Sequence, residues 1–150
     1  MYRKLLLLIL TSCTLNCYAQ GDEAAVKTVI NNMFDGMRKT DSALIRSAFA
    51  PKAILETIVK TKEGKVSVRS EVVDSFIMAV TRPHKEVYDE RITFDLIKVD
   101  ADLAIVWTPY QFYIDENFSH CGVNSFQLVK IDGQWKIQYL IDTRRKQDCK

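Results

Sequence analysis

Apolar residues recur at Val26, Ile30, Met33, Phe34 and Met37, one stripe at helical spacing that predicts an amphipathic first helix with Asp22 as its N-cap. Thr40-Asp41-Ser42 predicts the start of a short second helix, with Leu44, Ile45 and Phe49 inward and Pro51 closing it. The β-branched run over 53–60 predicts a strand, which Glu63-Gly64 turns into a second strand over 65–69. Ser70 then reads as the cap of a third helix carrying Val73, Phe76, Ile77 and Val80 on one face, and Thr81-Arg82-Pro83 breaks it. From Glu90 onward the periodicity changes to two, predicting strands over 91–99, 103–114, 118–131 and 134–144, joined by turns at Asp100-Ala101-Asp102, Asp115-Glu116-Asn117 and Asp132-Gly133. Helices first and strands later predict an α+β domain with helices packed on one face of a curved antiparallel sheet, Pro109 and Gly122 being candidate sites of a bend or bulge.

The last hairpin holds most of the candidate chemistry. With Asp132-Gly133 as its turn, regular pairing puts Cys121 opposite Arg144. One face then carries His120, Asn124, Phe126 and Leu128 with Trp135, Ile137, Tyr139, Ile141 and Thr143. The other carries Cys121, Val123, Gln127, Val129, Gln138, Leu140, Asp142 and Arg144. The first face is the more aromatic and is expected to meet the helices, which makes His120 and Asn124 polar groups on the concave side. A bulge between Gly122 and Asn124 would turn His120 the other way. In the preceding strand Tyr110 and Phe112 share one face, Trp107 and Tyr113 the other.

The 150 residues suffice for one domain and one core, and 47% hydrophobic with 27% charged residues excludes a disordered chain. A formal net charge of +2 gives no basis for a nucleic-acid partner. Residues 1–19 read as an export signal: Arg3 and Lys4, the apolar run Leu5 to Leu10, then Cys17-Tyr18-Ala19 with cleavage before Gln20. The rival reading is a lipobox, Leu10-Thr11-Ser12-Cys13, which would anchor the protein to a membrane through a lipidated Cys13. Either route gives an exported protein, periplasmic or secreted if cleaved. Cleavage leaves Cys121 and Cys149, which in an oxidising compartment either form a disulfide or remain two free thiols.

Much chemistry is absent from the pattern. His84 and His120 have no ligand spacing, so no metal site is expected, and no glycine-rich phosphate or dinucleotide motif calls for a cofactor. Cys121 and His120 are adjacent in a strand and point to opposite faces, so they are not a nucleophile and its base. Asn117-Phe118-Ser119 matches a glycosylation acceptor by chance composition. Asp142 and Arg144 share a face and read first as a surface ion pair, alternatively with Arg144 as an anion ligand. Asp95 and Glu56, inside apolar strands, are the other carboxylates that desolvation could make basic.

The stretches Trp107-x-x-Tyr110-x-Phe112, His120-x-Gly122-x-x-x-Phe126 and Gly133-x-Trp135-x-Ile137 followed by Asp142-Thr143-Arg144, with the order of elements from Asp22 to Arg145, resemble the nuclear transport factor 2-like (SnoaL-like) superfamily. The resemblance implies that residues 20–150 form a cystatin-like, cone-shaped roll, a curved sheet wrapped around N-terminal helices with a pocket at the wide end. It also implies a homodimer formed through the sheet. Members include isomerases, dehydratases, cyclases and non-enzymatic binders, so the fold alone does not state a chemistry.

Three functions are compatible with these residues. The first is an exported, non-enzymatic domain holding a small organic ligand, with Phe34, Tyr110, Phe112, His120, Asn124 and Tyr139 in the pocket. The second is a proton-transfer enzyme, an isomerase or dehydratase, with His120 as acid or base and Tyr110 stabilising an oxyanion. It requires a second titratable group in the pocket. The third is a sheet-mediated protein-interaction module, which a closed or water-sized pocket would favour.

Overall fold

A computed structural model describes the backbone of residues 3–149 and the side chains of residues 21–149. The export signal and Cys13 fall outside the residues whose side chains are described. Three helices, α1 (Arg3–Lys39), α2 (Ser42–Ala48) and α3 (Val73–Thr81), accompany seven strands: β1 (Phe49–Lys60), β2 (Val66–Val72), β3 (Tyr88–Ile92), β4 (Leu96–Asp100), β5 (Leu103–Ile114), β6 (Asn117–Ile131) and β7 (Gln134–Arg145). They form one sheet in the order β2-β1-β7-β6-β5-β3, with β4 also on β5. The β1–β7 pair is parallel and the other pairs are antiparallel.

The helical stripe is the centre of the core. Val26, Ile30, Met33, Phe34 and Met37 are all buried, against Ala104, Val106, Phe126, Leu128, Trp135 and Ile137 of the sheet. Phe34 meets Phe126 edge to face at 6.4 Å, the arrangement that ring quadrupoles favour. Asp22 is not a cap: it lies inside α1, where its carboxylate accepts from Lys130 Nζ (2.7 Å) and Trp135 Nε1 (3.0 Å) and ties the helix to the last hairpin. The Lys130 bond, then the Trp135 bond, lower its pKa. Asp41 does cap α2, its Oδ1 accepting from Leu44 N at 2.9 Å. Ser70 caps nothing. β2 runs on to Val72, and the Ser70 hydroxyl donates across the hairpin to Glu56.

The strand expected over 91–99 is two. β3 pairs with β5 up to Ile92↔Tyr110 and β4 resumes at Leu96↔Trp107, one residue out of step. Pro109 faces the gap: its carbonyl accepts from Thr93 N (3.0 Å), and it has no N–H to return.

Asp132 (φ 50°) and Gly133 (φ 75°) make the expected hairpin turn. Pairing is regular from Ile131↔Gln134 to Leu128↔Ile137. One residue of β7, Gln138, then has no partner, and the ladder continues from Gln127↔Tyr139 to Cys121↔Arg145. This bulge exchanges the two faces of β7 beyond Gln138. Leu140, Asp142 and Arg144 turn toward the helices, and Tyr139, Ile141 and Thr143 turn to the outer face, the reverse of regular pairing. Gly122, expected to bulge, is instead regularly paired on both sides.

Cys121, buried, is joined to Cys149 across 28 residues with Cα atoms 5.8 Å apart, so the C-terminal segment is tied back over the end of β6. Constraining a loop of this length in the unfolded chain is worth about 3 kcal/mol. The double variant Cys121→Ala, Cys149→Ser should therefore lose roughly that much stability in urea denaturation, with little change in the folded far-UV spectrum.

Candidate functional site

A partly open cavity of about 60 Å³ lies between the sheet and the helices. Its helix side is apolar, formed by Met33, Phe34 and Met37 of α1 and Phe76 of α3, and Leu55 and Leu140 extend that surface onto the sheet. Its sheet side is polar: a wall of Thr57, Glu90, Asn124, Asp142 and Arg144, with Glu56 and the exposed Glu71 also lining it. Such a volume holds several waters or a few heavy atoms, well below the roughly 300–1,000 Å³ of sites for drug-sized ligands.

The polar wall is assembled from four strands. The parallel register of β1 and β7 sets Thr57 beside Asp142, and the antiparallel register of β6 and β7 sets Asn124 on the other side of Asp142. Arg144 donates from Nε to Asp142 Oδ2 (2.9 Å) and from a terminal nitrogen to Thr57 Oγ1 (3.3 Å). Asn124 Nδ2 donates to Glu90 Oε1 at 2.7 Å. Behind the wall the buried Tyr110 hydroxyl donates to the Thr143 carbonyl (2.9 Å), with Asp142 Oδ2 at 3.2 Å. Gly122 permits this crossing. A Cβ there would sit 1.8 Å from the Thr143 carbonyl oxygen and 2.7 Å from the Tyr110 ring.

The charges are unbalanced. Four carboxyl groups, Glu56, Glu71, Glu90 and Asp142, line the cavity with one guanidinium, Arg144, and Arg144 is paired with Asp142. Burial raises the pKa of Glu90 to about 7; the Asn124 hydrogen bond opposes that shift, the Asp142 charge adds to it, and Arg144 opposes it. Burial, then the Glu90 and Asp142 charges, push Tyr110 far up, so its hydroxyl keeps its proton. A carboxyl poised near neutral pH beside a fixed cation can bind, hold or release a proton in this cavity.

Of the residues expected in the pocket, Phe34 and Asn124 line the cavity. Tyr110 stands behind it. His120 and Phe112 lie further along the same inner face without lining it, the half-buried imidazole packed 4.9 Å from Phe112 and 5.8 Å from Tyr110. Burial, then Arg144, lower the His120 pKa and keep the ring neutral. Tyr139 is on the opposite face because of the bulge at Gln138, donating to Glu56 Oε2 at 2.6 Å. Glu56 in turn is held as an anion, its pKa lowered by Tyr139 and then by Ser70. Asp95 is exposed, beside an open surface depression with Arg91 and Gln111. Asp142 and Arg144 form the expected ion pair, but only its arginine is at the surface: the aspartate is 8% exposed, the arginine side chain 49%, and both line the cavity.

Glu90 was not singled out from the sequence. The signal was there in the alternation Tyr88-x-Glu90-x-Ile92, which carries the inward parity of β3 to Glu90, one residue before the predicted strand begins. A glutamate with a raised pKa binds its proton more tightly folded than unfolded. Its contribution to stability is therefore full below its ordinary value of 4.5 and lost as pH rises through about 7. The wild type should lose on the order of 3 kcal/mol across this window from Glu90. Glu90→Gln should remove that decline, read as a flatter plot of unfolding free energy against pH.

A family model described as "Putative lumazine-binding" matches residues 21–139. Among solved structures, the chain is similar to a nuclear transport factor 2-like protein of unknown function from Silicibacter pomeroyi (17% identity, 84% of this chain and 98% of that one, TM-score 0.65). It is also similar to a conserved protein from Planctomyces limnophilus (16% identity, 84% and 98%, TM-score 0.66). A protein of unknown function with a cystatin-like fold from Nostoc punctiforme gives 14% identity, 84% and 92% coverage and a TM-score of 0.64. At these identities the likeness is one of fold. No curated protein matches the sequence.

Proposed function

Since the chain belongs to this lumazine-binding-like family of nuclear transport factor 2-like domains, we propose that it is a ligand-binding domain whose site is the cavity between α1 and the polar wall. The observation that carries the reading is that wall: five polar side chains from four strands converge on space that no side chain fills. Arg144 supplies donors, Asp142 supplies an acceptor, and Glu90 supplies either according to its protonation. This suits a small molecule with a planar apolar body and an edge of alternating carbonyl and N–H groups. The dione edge of lumazine, the compound in the family's description, has that character. A bicyclic ligand exceeds the cavity and enters by displacing Met33 and Met37, whose unbranched side chains repack readily.

Export to an oxidising compartment belongs to the same proposal, supported by the Cys121–Cys149 disulfide and the N-terminal apolar run. So does a homodimer formed face to face on the outer side of the sheet, where Leu96, Leu103, Ile105 and Trp107 are exposed together on β4 and β5.

A second reading is proton transfer, with Glu90 rather than His120 as the base. It is favoured by the pKa of about 7 and by the proton-bearing Tyr110 hydroxyl on neighbouring Asp142.

Calorimetric titration with lumazine tests the binding reading. Arg144→Met should weaken binding by about tenfold or more, the loss expected for one hydrogen bond to a charged group, and lower the melting temperature because buried Asp142 loses its cation, so binding is compared well below that temperature. Wild-type protein that binds no lumazine and carries no small molecule in native mass spectrometry after purification from its host would sink it. Turnover abolished by Glu90→Gln, with binding retained, would favour the enzyme.

A further inference from the structure

β2 ends the sheet, and its outer edge pairs with nothing among the described residues. Edge strands of soluble proteins are commonly short, bulged, covered or studded with like charges. β2 is none of these: it is regularly paired to β1 over its whole length, and every residue from Val66 to Val72 is exposed. Val68 (52% exposed) and Val72 (65%) stand on its outer face with Ile54 of β1 (49%) beside Val72, while Arg69 and Glu71 stand on its inner face.

This pattern is complementary to itself. Laid antiparallel on a second copy with Ser70 on the two-fold axis, β2 places Val68 opposite Val72 and Arg69 opposite Glu71, each pair twice. A slip of two residues either way sets Arg69 opposite Arg69 or Glu71 opposite Glu71. A slip of one sets a charge opposite valine or serine. One register alone joins apolar to apolar and base to acid.

We propose that β2 is a docking edge for a second copy of this chain, in the register centred on Ser70, so that two sheets become one continuous sheet. The surface is distinct from the outer face around Trp107. Because Glu71 also lines the cavity, the second copy's Arg69 is brought to the cavity rim.

The test uses the full chain carrying Trp107→Glu, which removes association through the outer face from the readout, in analytical ultracentrifugation. This protein should dimerise. Adding Arg69→Glu, or separately Glu71→Arg, places like charges opposite each other twice and should weaken the dimer roughly tenfold or more. An equimolar mixture of the two charge-reversed proteins should recover a one-to-one heterodimer, because every reversed charge then meets its opposite. A Trp107→Glu protein that stays monomeric, a dimer indifferent to both reversals, or a mixture that fails to recover association would each overturn the proposal.

Discussion

Between Ile137 and Tyr139 the last strand carries one residue with no partner on β6, and the character of the cavity depends on it. Without the bulge at Gln138, β7 would present Tyr139, Ile141 and Thr143 to the helices, making an apolar wall with two hydroxyls. With it, Leu140 stays in the core while Asp142 and Arg144 turn inward. The parallel neighbour β1 matches the shifted register, setting Leu55 beside Leu140 and Thr57 beside Asp142. Strand pairing thus spreads one local irregularity across the sheet, and the aromatic half of the hairpin, Trp135 and Ile137, is untouched because it precedes the bulge.

The polar wall that results is costly to bury. A carboxylate removed from water recovers its solvation only when hydrogen bonds complete its set, whereas the Arg144 side chain keeps 49% of its surface exposed. Here Asp142 meets Arg144 and Tyr110, and Arg144 also reaches Thr57. Glu90 has only Asn124, and its neighbour Asp142 repels its charge. Its proton is the least expensive way for the fold to settle that imbalance. A site able to exchange a proton near neutrality follows from Glu90 being left without a cation once Arg144 is paired with Asp142.

The fold was legible because it rests on periodicity. The stripe from Val26 to Met37, the alternation in β5 and β6, and Asp132-Gly133 each encode their element locally, and tertiary packing agrees with them. The polar wall was only half legible, because its membership depends on register. Asn124 and Phe34 lie before the bulge at Gln138 and line the cavity. Tyr139, Leu140, Asp142 and Arg144 lie beyond Gln138, which has nothing in its side chain to announce a bulge. Helix boundaries failed where a residue had a second use: Asp22 and Ser70 are good caps in isolation, but each is held by distant partners, Lys130 with Trp135 and Glu56 respectively.

The two sides of the cavity differ in how readily they can move. Thr57, Asn124, Asp142 and Arg144 project from strands hydrogen-bonded on both edges, so their spacing is set by the ladder and can shift only if the sheet does. Opposite them, Met33 and Met37 each turn through several single bonds, and Phe76 belongs to a helix of nine residues whose N-terminus has no side-chain cap. In the proposed site, discrimination would therefore belong to the sheet and accommodation to the helices. Ligands of different girth can share one polar edge, while a change in that edge meets groups that cannot rearrange.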